Sequence, residues 1–191
     1  LAQKFMEKEL QNGQIRFISK NIHAIDPETD IDGGFDLIIL KDVIEHIHNQ
    51  ELFISQVRKL LKKGGKIFFA FPPWQMPFGG HQQICSNKYL SKLPYYHLLP
   101  RVMYERILNL FKEPDYTVNE LLEIKETGIS IERFERILKK NKFKTLKKTF
   151  FLINPIYKYK FGLKPRLQVN FIKKTPYLRN FLTTAVYYLV E

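Results

Sequence analysis

Residues 34–74 read GFDLIILKDVIEHIHNQELFISQVRKLLKKGGKIFFAFPPW, and this stretch decides the fold class. Phe35 to Leu40, apart from Asp36, is an apolar run without polar alternation, the pattern of a strand covered on both faces. From Glu51 to Lys63 the period becomes helical, with Phe53, Val57, Leu60 and Leu61 on one stripe and Gln56, Lys59, Lys62 and Lys63 around the rest. Gly64-Gly65 follows the basic last turn, where a left-handed helix cap is expected. Ile67 to Phe71 is a second apolar run, stopped by Pro72-Pro73, which cannot donate to a strand ladder. Strand, helix and strand joined this closely predict a parallel, right-handed unit. The chain is therefore of the α/β class.

Upstream, Leu1 to Leu10 predicts a helix with Phe5, Met6 and Leu10 on one side and Asn12-Gly13 as its stop. Ile15 to Ser19 (IRFIS) predicts a short strand, and Asp26-Pro27, Asp30 and Asp32-Gly33-Gly34 a polar loop. Downstream of Trp74 the chain turns irregular and then helical in pieces, Asn87 to Leu93, Pro100 to Phe111 and Val118 to Lys125, punctuated by Pro94, Pro100 and Pro114. Ser130 is placed to cap a helix from Ile131 to Lys140, with Glu132 in its first turn and Lys139-Lys140 in its last. Phe143 to Ile153 and Thr183 to Val190 have strand character. Between them runs NPIYKYKFGLKPRLQVNFIKKTPYLRN, rich in Tyr, Phe, Lys and Arg, which suits an anionic or aromatic partner or, as the alternative, a simple aromatic-stapled surface loop.

At 191 residues the chain suits one domain, 1–191, with a sizeable core. No run reaches the length of a bilayer span, and Lys4, Glu7, Lys8 and Glu9 make the opening unlike a signal peptide. The lone Cys85 excludes an internal disulfide and fits a reducing cytoplasm. A net charge of +12 admits a nucleic acid, an anionic membrane surface or an acidic substrate, or a solvated lysine-rich surface. The basic residues come in short groups without an arginine-rich tract or an RNA-binding aromatic motif, which counts against nucleic acid.

The order FDLIILKDVIEHI, helix, LLKKGGKIFFAFPP resembles the second half of the class I S-adenosylmethionine-dependent methyltransferase fold. The resemblance runs from Ile15 to Thr149 and is tightest from Phe35 to Phe71. It implies a Rossmann-like, mostly parallel sheet with an antiparallel last strand. It also implies a helical insertion after the fifth strand, here residues 82–127, acting as a substrate-covering lid. A packing appendage or dimer contact is the alternative for that block. The first two strands and the glycine-rich turn of the family would lie upstream of Leu1, and no G-x-G-x-x-G occurs in the sequence. Either the sequence belongs to a longer chain, or it does not hold the cofactor in the usual way.

Ligands of open parallel sheets bind at the carboxyl ends of the strands. The resemblance therefore assigns S-adenosyl-L-methionine to Asn21 and Ile22 on its adenine side and to Leu40 and Lys41 on its methionine side. Methyl transfer needs alignment and, for a hydroxyl acceptor, a base, a role suited to neutral histidine. His46 is the first candidate and His81 the second, with Glu45 beside them. D-x-x-E-H at Asp42, Glu45 and His46, joined by His81, also resembles the metal-binding set of the small-RNA 3′-end and ubiquinone-pathway methyltransferases. The expected activity is methylation of an oxygen or nitrogen of a small-molecule or glycan-type acceptor. The alternatives are a non-catalytic scaffold and a nucleic-acid methyltransferase. The base-methylating signature is absent after the fourth strand, where the sequence reads LKDV.

Overall fold

In the computed structural model, which describes residues 2–191, the chain forms two short helices, α1 (Ala2–Phe5) and α2 (Glu7–Gln11), and then α3 (Pro27–Asp30). The strand–helix–strand unit follows as β1 (Phe35–Lys41), α4 (Gln50–Lys59) and β2 (Leu61–Phe71). Next come α5 (Arg101–Leu110), α6 (Asp115–Thr127), α7 (Ile131–Lys140) and β3 (Thr145–Ile153). The last part holds α8 (Tyr157–Phe161), β4 (Arg166–Leu167), α9 (Asn170–Lys174), α10 (Leu178–Leu182) and β5 (Ala185–Val190).

The strands form one sheet in the order β1-β2-β5-β3-β4. β1 and β2 pair in parallel, and β5 slots between β2 and β3, antiparallel to both. β4 closes the far edge, antiparallel to β3. The sheet thus starts parallel and continues antiparallel, with β1, β2 and β3 pointing the same way. The expected antiparallel last strand is present, and the hairpin strand β4 was not expected.

The helices form for identifiable reasons. Asn49 Oδ1 accepts from Leu52 N at the start of α4, and Ser130 Oγ accepts from Arg133 N at the start of α7. α4 buries Phe53, Ile54 and Val57, and α7 buries Ile131, Phe134, Ile137 and Leu138. Both pack into the core on the sheet. Phe134 is its hub, meeting Phe69, Phe71 and Tyr188 edge-on at centroid distances of 5.0, 4.7 and 5.1 Å. A second core of Cys85, Leu90, Tyr96, Tyr104, Leu108, Val118, Leu121 and Leu122 lies within 82–127. That block therefore carries its own apolar centre beside the sheet.

The structure corrects five expectations. Of the helical segment expected at Asn87 to Leu93, only the one-turn 3₁₀ helix Leu90–Lys92 forms. The helix expected to run to Lys63 ends at Lys59, and Gly64-Gly65 lies inside β2 as a bulge, since Phe35 pairs with Leu61 but Leu37 with Lys66. A side chain on Gly65 would stand 2.7 Å from Phe35 O, so glycine is required there for the β1 backbone to pass. IRFIS forms no strand. Arg16 and Lys20 instead reach the backbone carbonyl and carboxylate of Asp30, which ties the segment to the polar loop. As a consequence β1 is an edge strand, not one covered on both faces, and Ile39 is 64% exposed. Finally, the single N-terminal helix is split at Met6, and Phe5 and Met6 are exposed. Leu1 lies outside the described residues.

Candidate functional site

Three side chains from the carboxyl ends of β1 and β2 meet. After β1 the chain makes a sharp turn at Asp42, with φ of 53°, and enters a one-turn 3₁₀ helix, Ile44–His46. Ile44 anchors this turn by burying completely. The geometry swings Glu45 inward with it, and Glu45 is 4% exposed. After β2, the turn through Gly79-Gly80 delivers His81 in the left-handed region, at φ 54°. A Cβ at Gly80 would run into the His97 ring, so glycine lets this loop pass close enough.

One ligand atom each of Glu45, His46 and His81 lies within 4.8 Å of the others. The two imidazoles are 5.0 Å apart between centroids and tilted by 50°. Neither carboxylate oxygen of Glu45 has a hydrogen-bond partner, and His81 Nδ1 has none either. A buried carboxyl with two unmet acceptors is costly when ionised. Burial accordingly pushes the Glu45 carboxyl up to about 7, with the nearby Asp42 carboxylate adding to the shift. Burial, and then His46, hold the His81 imidazole below its ordinary value. The site therefore favours neutral groups.

Asp42, expected in the same set, stands outside it. Its carboxylate pairs with the Lys41 ammonium, whose pKa rises through that hydrogen bond. Asn21 is exposed, and its Oδ1 accepts from His23 N at 3.0 Å to cap the 3₁₀ turn Ile22–Ala24. Ile22 and Leu40 are half-buried against the main core. The structure thus brings together His46, His81 and Glu45. Of the three only His46 lines the neighbouring cleft, and Asn21, Ile22, Leu40 and Lys41 do not line it with His46.

A cleft of about 210 Å³ opens beside His46, walled by Glu120, Glu123, Ile124 and Thr127 of α6. Gln50 fixes this wall: its Nε2 donates to Ile44 O at 3.1 Å and to Thr127 O at 2.5 Å, tying the 3₁₀ turn to the end of α6. Trp74 N donates to Ile129 O at 2.9 Å and closes the same joint. Nothing in the local sequence marks Gln50 or Thr127. Their roles arise from α6 folding back over the strand ends.

The model of a methyltransferase-domain family matches residues 2–141, and the chain belongs to that family. Among solved structures, the chain is similar to a Bacillus halodurans C-125 protein described as a candidate methyltransferase. Sequence identity is 15% and the TM-score 0.46, over 99% of this chain and 76% of that one. No curated protein matches it. The chain is a methyltransferase by family, and no helix among the described residues is long and apolar enough to cross a membrane.

Proposed function

We propose that the chain moves a methyl group from S-adenosyl-L-methionine to an oxygen or nitrogen of a small-molecule or glycan-type acceptor. The observation that carries this reading is the buried, unpartnered Glu45 carboxyl set against His46 and His81 at the strand ends. Its two free acceptors fit a ligand bearing positive charge and N–H donors, as this cofactor's methionine part does. Leu40 and Lys41 would flank that part. Asn21, whose oxygen is used in capping, has amide N–H groups for an adenine ring nitrogen, and Ile22 would pack on the ring.

When bound, the cofactor supplies a methyl carbon already activated by its sulfonium. The chain's own residues then align the acceptor, exclude water and take its proton. His46 borders the α6 cleft, which supports it as the group that receives that proton. Glu45, in its ionised form above about pH 7, would stabilise the imidazolium that results, and His81 is a second, neutral acceptor. α6 and the rest of 82–127 serve as the lid over the acceptor.

A second reading rests on the same three groups. Glu45, His46 and His81 offer the mixed carboxylate and imidazole donors that a divalent ion takes, and an ion there would orient acceptor oxygens.

Calorimetry with S-adenosylhomocysteine tests the first reading. Saturable binding supports it, whereas its absence leaves the scaffold. Repeating the titration with Mn²⁺ in place of that ligand tests the second. Heat that vanishes in Glu45→Gln supports the ion, and no heat removes it.

A further inference from the structure

The charge of this molecule is divided along the chain. Residues 1–135 carry seventeen lysines and arginines against eighteen acidic residues. From Arg136 to Val190 there are fourteen basic residues and no aspartate or glutamate. The whole of the +12 therefore belongs to this last part. Much of it sits on the excursion between β3 and β5, which holds α8, β4, α9 and α10. Among the described residues, Lys158, Lys160, Lys164, Lys173 and Lys174 pair with no carboxylate.

The same excursion projects apolar side chains into solvent. Tyr159 is 81% exposed and Phe171 74%, and Phe161, Leu167, Val169 and Tyr177 are exposed as well. The base beneath them is fixed. Gln168 N donates to Phe150 O at 2.9 Å and its Nε2 to Leu182 O at 2.6 Å. Arg179, 7% exposed, is held by Glu132 and Glu135. Exposed apolar groups on a fixed base mark a contact surface.

We propose that this face docks on the surface of an anionic lipid bilayer. Unpaired lysines would meet lipid phosphates, while the aromatic and aliphatic tips enter the interface. Leu167 and Val169 favour lipid over nucleic acid, because aliphatic side chains offer bases no stacking surface. The excursion leaves from the carboxyl end of β3, which points the same way as β1 and β2, so it lies at the end of the sheet that carries His46 and His81. Tyr95 OH donates to Phe181 O at 3.1 Å, which joins it to the segment after His81. Docking would turn the acceptor cleft toward the bilayer, so that a lipid or a lipid headgroup becomes the acceptor class. That last consequence rests on the transferase reading, whereas the docking does not.

Vesicle flotation tests the docking. The chain should float with phosphatidylglycerol/phosphatidylcholine vesicles and stay behind with pure phosphatidylcholine. Removing both lysines in Lys173→Ala/Lys174→Ala should weaken partitioning about 25-fold, roughly fivefold for each. Phe171→Ser should weaken it about tenfold. Phe171 and Lys174 are exposed and Lys173 is half-buried, so an unchanged melting temperature is required to confirm the fold of each variant. No flotation with anionic vesicles, or variants that float like the parent, would overturn the proposal. Steeply salt-dependent binding to single-stranded RNA without flotation would assign the face to nucleic acid instead. S-adenosylhomocysteine binding, measured separately, shows whether the transferase reading fails on its own.

Discussion

Replacing Glu45 by glutamine isolates the energetic burden of the site. The carboxyl is 4% exposed, has no hydrogen-bond partner, and is raised from 4.5 to about 7. A carboxylic acid with a raised folded-state pKa holds its proton longer in the folded chain than in the unfolded one. Stability is then fully present below pH 4.5 and lost as pH rises toward about 7. The gap between the two values corresponds to about 3 kcal/mol. Glu45→Gln cannot ionise, so its stability should lack this loss. The two proteins should differ little at pH 4.5, and at pH 8 the variant should be more stable by about 3 kcal/mol. Near the transition that is roughly 6–12 °C in a domain of this size. Thermal and urea unfolding between pH 4.5 and 8.5 would measure it. Parallel curves for the two proteins across that range would refute the reasoning, because they would mean that Glu45 is solvated or paired.

Other outcomes follow from the same geometry. His46→Ala should lower turnover by about a hundredfold or more while S-adenosylhomocysteine affinity stays within a few-fold, and equal loss of both would make the residue structural. In an NMR titration the His81 ring should take its proton below the ordinary imidazole value of 6.5; a midpoint above 7 would contradict its burial. Arg179→Met leaves Glu132 and Glu135 without their guanidinium partner and should cost about 3 kcal/mol in urea unfolding. Proteolysis within 157–175 should accelerate in that variant. An unchanged urea midpoint would mean that the excursion is held by its apolar contacts alone.

The central unit was legible because its signals are local. Apolar runs marked β1 and β2, and a capping serine three residues before its amide partner marked α7. Where a neighbour decided the outcome, the sequence was silent. Lys-Gly-Gly looks the same whether it ends a helix or bulges a strand, and only the Phe35 carbonyl passing beside Gly65 distinguishes them. IRFIS has strand residues, but Arg16 and the adjacent Lys20 bind Asp30, and the free edge of β1 stays unpaired. D-x-x-E-H placed three residues on one helical turn. The φ of 53° at Asp42 breaks that turn, so Glu45 and His46 face His81 while Asp42 pairs with Lys41. The second core was hidden because its residues are scattered over short turns, without a period to betray them.

β5 is bonded on both flanks, to β2 and to β3, and these two never touch each other in the ladder. During synthesis the sheet must stay in two pieces until a strand made long after β2 is inserted like a keystone. The parallel half and the hairpin half can each prepare, but neither can join early. Slow closure over a long chain separation, with two open ladders waiting, is the kinetic signature this layout imposes.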